Sequence, residues 1–219
     1  MILLLSNRFV KGLTPPYLIE LINIGIRSLK KNELFEGDDY LFKKLTKETT
    51  VYGEYGCGQS TLWIARNTNN IILTVETSKK WADKIIRLIP DINKLKIDFI
   101  NLGQTISYGY PKTYKKREEF SLYCNSIWNH KGFVPEIVLI DGRFRVACFL
   151  TCLLKAKNGT KLIFDDYLNN PHYHLVEEFL KPKEYCGRQA LFIVPIIEKN
   201  SLCEKRIVKE IANFQYVLD

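Results

Sequence analysis

The chain of 219 residues, 46% hydrophobic and 26% charged, falls within the range of one globular domain and can bury a substantial core. The net charge of +8 admits a nucleic-acid partner, but the basic residues are spread out, and the densest runs (Arg27, Lys30, Lys31; Lys112, Lys115, Lys116, Arg117) are short, which favours a solvated surface. Six scattered cysteines form no C-x-x-C pair and no zinc-ligand spacing, so they read as reduced thiols; Cys148 and Cys152 read as small buried hydrophobes on one helix face. The apolar opening Met1–Leu5 is too short for a signal core or a membrane span, and the expected location is cytoplasmic.

Short apolar runs alternate with longer amphipathic segments, the pattern of an α/β chain with a mostly parallel sheet. Thr14-Pro15-Pro16 leads into an expected helix over Tyr17–Leu29, and Lys43–Thr50 reads as a polar approach to the first strand, Val51–Tyr55. Gly56-Cys57-Gly58 then turns into a helix over Ser60–Asn67. Ile71–Val75 is the second strand; Ser78 caps a helix that runs to Ile89 and stops at Pro90. Lys96–Ile100 is the third strand, followed by a long loop to about Arg117, a length typical of lids and binding elements. A helix over Glu118–Asn129 precedes the fourth strand, Ile137–Ile140; Phe144–Lys157 is a helix ended by Gly159, and Lys161–Phe164 is the fifth strand. The tail holds an expected helix near Tyr173–Leu180, a strand at Ala190–Pro195 and a last helix over Ser201–Ala212.

In such a sheet ligands bind beyond the carboxyl ends of the strands. The first strand ends in Glu54-Tyr55-Gly56-Cys57-Gly58-Gln59-Ser60-Thr61, where glycines permit a tight turn and close ligand approach, and where helix amides can face an anion. Glu76 closes the second strand, placed to accept the two hydroxyls of a ribose. Position 61 is Thr, so the G-x-G-x-x-G of dinucleotide sites is incomplete and a dinucleotide is disfavoured. Capping is the structural alternative for Glu54, and a surface place before a helix is the alternative for Glu76.

Over roughly Val51–Pro195 the sequence resembles the class I S-adenosylmethionine-dependent methyltransferases. Glu54, Gly56 and Gly58 match their first motif and Glu76 their second; Glu54–Ala65, Val138–Ala147 ("VLIDGRFRVA") and Ile163–Tyr167 ("IFDDY") resemble a methyltransferase-like subset. The resemblance implies that Glu54 lies near the methionine ammonium, that Gly56 and Gly58 pass under the cofactor, that Ser60 and Thr61 hydrogen-bond its carboxylate, that Glu76 holds the ribose and that Leu102, with Gly103, flanks the adenine. Asp141 is counted among the cofactor-binding residues as well.

Asp141, Asp165 and Asp166 follow the fourth and fifth strands, and converging carboxylates need a cation or a shared proton. Their positions partly resemble those that hold magnesium in catechol and macrolide-sugar O-methyltransferases, so Mg2+ on these three residues is one expectation. A metal-free site in which Arg143 and Arg145 pair with the acids is the preferred one. Methyl transfer from a sulfonium needs alignment and a base, for which Asp141, Asp166, His172 and His174 are available. Arg143, Arg145, Tyr108 and His174 are candidate acceptor contacts, Tyr110 and Lys112 lie in the same loop, and structural pairing of the arginines remains the alternative.

The expectation is therefore a single domain over 1–219, with a helical cover over 1–50 and a Rossmann-like core over 51–219: a mostly parallel seven-stranded sheet with helices on both faces. The expected activity is methyl transfer from S-adenosylmethionine to a hydroxyl of a sugar, glycan or other small molecule. No Asn/Asp-Pro-Pro-Tyr motif follows the fourth strand, which argues against base N-methylation. The alternatives are an RNA-binding or RNA-modifying protein and a methyltransferase-like domain that binds the cofactor without catalysis.

Overall fold

The computed structural model describes residues 34–106 and 109–218, and the chain divides into two units, 1–37 and 38–219. The helix expected at Tyr17–Leu29 lies outside the described residues. The second unit carries the whole of the sheet.

Helix α1 (Tyr40–Lys47) occupies most of the stretch read from sequence as a polar approach. Its Leu41, Phe42 and Leu45 are buried on one face, and the Phe42 ring meets Tyr52 and Trp63 edge-on at 5.9 and 5.8 Å. Strands β1 (Val51–Tyr55), β2 (Ile71–Glu76), β3 (Leu95–Phe99), β4 (Ile137–Ile140), β5 (Lys161–Phe164), β6 (Glu184–Cys186) and β7 (Gln189–Ile193) form one sheet in the order β3-β2-β1-β4-β5-β7-β6. The first five strands are parallel, and β7 and β6 add an antiparallel hairpin at one edge. The sheet is thus seven-stranded and mixed. Every residue of β4 and all but the first of β1 are buried; successive side chains point to opposite faces, so both faces of the sheet are covered there.

The register sets up the site. Tyr55 lies level with Val75 on one side and Ile140 on the other, and Ile140 with Phe164, so β1, β2, β4 and β5 release their chains side by side. The strand order reverses between β1 and β4, the place where open α/β sheets take their ligands. On the far side, Phe164 pairs with Ala190, which brings the β6–β7 turn up beside the end of β5.

Helix α2 (Gln59–Asn67) follows β1, and α3 (Lys79–Ile86) follows β2 with Ser78 as its cap, the Ser78 side chain accepting from the Trp81 amide. Beyond Ile86 the expected helix continues only as tight turns to Ile89. The segment expected as one helix over Glu118–Asn129 is a short helix α4 (Phe120–Asn125) with a 3-10 turn at each end. The helix expected near Tyr173–Leu180 is a 3-10 helix, Pro171–Glu178, whose buried residues, Tyr173 and Val176, are three apart, the repeat of that tighter winding. Helices α5 (Arg145–Lys155) and α6 (Leu202–Phe214) complete the unit. No helix among the described residues is long and apolar enough to cross a membrane.

Candidate functional site

The loops after β1 and β4 meet backbone to backbone. Gly56 has φ +83°, and a Cβ built on it would sit 3.0 Å from the Gly142 Cα; a Cβ on Gly142 would lie 2.7 and 2.8 Å from the Tyr55 carbonyl carbon and oxygen and would collide with the Tyr123 hydroxyl. Only glycine fits either position. A Cβ on Gly58, by contrast, would meet nothing within 4 Å, so the loop has open space on that side.

Below the loop lies Glu54, fully buried. Ser60 and Thr61 both donate to its carboxylate, the latter at 2.5 Å, and the Tyr52 hydroxyl donates at 3.0 Å. Thr61 Oγ1 also accepts from the Gly58 amide at 2.8 Å. The two hydroxyls assigned from sequence to the cofactor carboxylate are thus turned down onto Glu54, where they organise the glycine turn. Burial pushes the Glu54 carboxyl up to about 7, against the pull of the three hydroxyls. The first ladder bond of α2 runs from the Leu62 amide to the Gly58 carbonyl, so the amides of Gln59, Ser60 and Thr61 lie outside the helical ladder, as donors at a helix N-terminus do.

Glu76, buried at the end of β2, accepts from the Thr77 and Ser78 amides at 2.7 and 2.8 Å through Oε1. Among the described residues its Oε2 has only long contacts, to the Cys57 amide at 3.4 Å and the Cys57 thiol at 3.6 Å, and retains accepting capacity. Trp81 of α3 donates its indole N–H to the Cys57 carbonyl at 2.6 Å, tying the glycine loop to the next helix. Leu102 is buried in the main core, and Gly103 has φ +92°. The loop beyond returns through a bridge between Thr105 and Pro111, and the Thr77 hydroxyl donates to the Gly109 carbonyl at 3.0 Å. Tyr108 lies outside the described residues.

After β4, Phe144 adopts a left-handed backbone (φ 54°) while fully packed in the core. Arg143 and Arg145 flank it and part company. The Arg143 guanidinium stacks 3.8 Å over the Tyr110 ring. Arg145 reaches Asp141 at 3.0 Å and Asp166 at 3.4 Å, and it donates to the Gly142 and Asp165 carbonyls at 3.2 and 2.8 Å. Asp141, Tyr173, Asp165 and Asp166 hold this buried guanidinium firmly ionised against the cost of its burial. The sequence-based pairing of arginines with acids is seen at Arg145.

The second partner of the acids went unseen in the sequence. Arg188, on the β6–β7 turn, forks onto Asp165 with Nε to Oδ1 at 3.1 Å and Nη2 to Oδ2 at 2.5 Å, and its Nε lies 3.3 Å from Asp166. Asp165 is fully buried, and Gln189 donates its amide N–H to Oδ1 at 2.9 Å; the Gln189 Oε1 has no hydrogen-bond partner among the described residues. Oxygens of Asp141, Asp165 and Asp166 lie within 4.8 Å of one another. Burial, then the charges of Asp165 and Asp166, push the Asp141 carboxyl up, while Arg145 draws it back.

Both Asp165 oxygens are engaged by a guanidinium fork, so a divalent ion on these three acids would have to displace Arg188. His172 is exposed with its ring 4.2 Å from that of Tyr173, and His174 contacts the Tyr167 carbonyl at 3.2 Å. Tyr173, not an imidazole, faces Arg145, with the guanidinium 5.6 Å from its ring centre.

No family model matches the chain, and no curated protein matches it. Among solved structures, it is similar to a methyltransferase-like protein of Silicibacter pomeroyi, at 31% identity over 78% of this chain and 91% of the other, with a TM-score of 0.67. It is also similar to an O-methyltransferase of Bacillus cereus in complex with S-adenosylhomocysteine (15% identity, 83% and 91% covered, TM-score 0.47) and to a methyltransferase of Geobacter sulfurreducens (11%, 86% and 95%, 0.49).

Proposed function

Because the chain belongs to the class I S-adenosylmethionine-dependent methyltransferases, we propose that it methylates a hydroxyl oxygen of a small molecule, with sugars and glycans as the first acceptors to try. The observation that carries this reading is the meeting of Gly56 and Gly142 at the reversal of strand order, with Glu76 on one side of the junction and the acid cluster on the other. The residues fit the cofactor. Open space lies over Gly58, unladdered amides begin α2 for a carboxylate, and Glu76 Oε2 can accept from ribose hydroxyls. Leu102 is the candidate for the adenine side. When bound, the cofactor supplies a methyl group already activated by sulfonium charge.

The protein's part is then alignment and proton removal. Asp141 is the candidate base. Its Oδ1 is fixed by Arg145, which leaves Oδ2 as the oxygen to take the hydroxyl proton while the acceptor gains the methyl group. Glu54 acts indirectly, by holding Ser60 and Thr61 and so the shape of the glycine turn. Arg143 on Tyr110 ties the long loop to the β4 end and makes both residues candidate walls of the acceptor pocket. Asp166 and His172 remain alternative candidate bases on the β5 side, and His174 a candidate acceptor contact.

The test is an acceptor screen that follows formation of S-adenosylhomocysteine, run on the wild-type protein and on Asp141→Asn. Turnover on a hydroxyl compound that falls in the variant while cofactor binding persists supports the reading. Turnover confined to amine or RNA acceptors contradicts it.

A further inference from the structure

We propose that Arg188 is the resident counter-cation of the acid cluster, its guanidinium occupying the place that a divalent metal ion takes between such carboxylates, so that the site works without metal. The proposal deepens the methyltransferase reading and rests on it for the word "works"; the place of the guanidinium rests on geometry alone.

Three carboxylates in mutual reach cannot all remain charged without compensation. Arg145 and Arg188 supply two positive charges among the described residues, and each carboxylate contacts at least one of them. Arg188 takes the most buried of the three acids. Asp165 is fully buried, and the planar fork of Arg188 meets both of its oxygens, a match that a lysine cannot reproduce. A hard divalent ion seeks about six oxygen ligands, and the Arg188 fork already engages both oxygens of Asp165.

The turn that delivers Arg188 is itself held in place. Gly187 has φ +54°, and a Cβ there would run into the Asp38 carboxylate; Asp38 accepts from the Cys186 thiol at 3.0 Å. The antiparallel pairing of Phe164 with Ala190 then fixes Arg188 and Gln189 beside Asp165. The guanidinium therefore arrives with the fold, and the hairpin is a positioning element for the site.

The test is a titration with Mn2+ followed by electron paramagnetic resonance, with S-adenosylhomocysteine binding measured in the same samples. Wild-type protein should bind no Mn2+ at the cluster, and added Mg2+ or chelator should leave its melting temperature unchanged. Arg188→Ala should gain a saturable Mn2+ site, lost again in Arg188→Ala/Asp165→Asn, whereas Arg188→Lys should keep the fold and stay free of metal. Stoichiometric Mn2+ on the wild type that Asp165→Asn abolishes would overturn the proposal, as would a folded Arg188→Ala that binds none. If Arg188→Ala fails to fold, the wild-type and Arg188→Lys titrations still decide. Failure to bind S-adenosylhomocysteine would count against the methyltransferase reading and leave the Mn2+ result to stand separately.

Discussion

Gly56 and Gly142 touch where β1 and β4 end, the Cα of one 3.0 Å from where a side chain on the other would begin. Gly58, two residues on, stands over open space. The two kinds of glycine predict two kinds of failure. Gly142→Ala forces a methyl against the Tyr55 carbonyl and the Tyr123 hydroxyl and should cost about 2 kcal/mol or more of stability. Gly58→Ala should melt like the wild type yet lose about tenfold or more in cofactor affinity, about 1.4 kcal/mol. Calorimetric melting and titration with S-adenosylhomocysteine separate them; equal melting temperatures for the two variants would contradict the packing described.

Glu54 predicts a pH dependence of stability. Burial raises its carboxyl from the ordinary 4.5 to about 7, so between those values the folded chain holds a proton that the unfolded chain has released. Its contribution is therefore most favourable below the lower value and declines as pH rises through the window, by up to about 3 kcal/mol. Urea unfolding at about pH 5 and about pH 8 should show a fall in the wild type that is smaller in Glu54→Gln. Identical slopes in the two proteins would show that Glu54 does not titrate in this window.

Asp141 predicts a loss confined to chemistry. Asp141→Asn keeps the shape beside Arg145 but cannot take a proton, so turnover on an accepted hydroxyl compound should fall about 100-fold or more, with S-adenosylhomocysteine affinity changed little. A parallel loss of cofactor affinity would move Asp141 from the acceptor side to the cofactor side of the site.

The cysteines predict a labelling order. Cys57, Cys124, Cys148 and Cys152 are buried, Cys186 is half-buried and Cys203 is exposed. A thiol reagent on native protein should modify Cys203 first, with the four buried thiols protected until unfolding. Early modification of Cys124 or Cys148, whose sulfurs lie 3.7 Å apart in the core, would contradict the packing around α4 and α5.

The residues that were legible in sequence are those whose neighbours are local. Ile137–Ile140 and Lys161–Phe164 match their strands end for end, because a fully buried parallel strand reads as an unbroken apolar run between polar loops. Gly56 and Glu76 could be placed because one directly follows a strand and the other closes one. Helix α1 escaped notice because its apolar positions, Leu41, Phe42 and Leu45, sit among lysines, and β6 because three residues carry too short a pattern. Arg188 and Trp81 act through tertiary contacts, at 23 and 24 residues' separation from Asp165 and Cys57, and no local periodicity encodes such pairs. The only cue to Arg188 was the turn-forming Gly187 before it. Ser60 and Thr61 lie in the first turn of α2, as expected, but the sequence could not say that their hydroxyls turn toward Glu54, since side-chain direction at a helix start depends on the buried carboxylate beneath it.

The most direct test of the central claim is calorimetric titration with S-adenosylmethionine and S-adenosylhomocysteine, on the wild type and on Glu76→Gln. The variant keeps an oxygen able to accept from the Thr77 and Ser78 amides but loses the charge that favours ribose hydroxyls. The account predicts micromolar binding by the wild type and a loss of about 2 kcal/mol in the variant. Absence of binding by folded wild-type protein would contradict it.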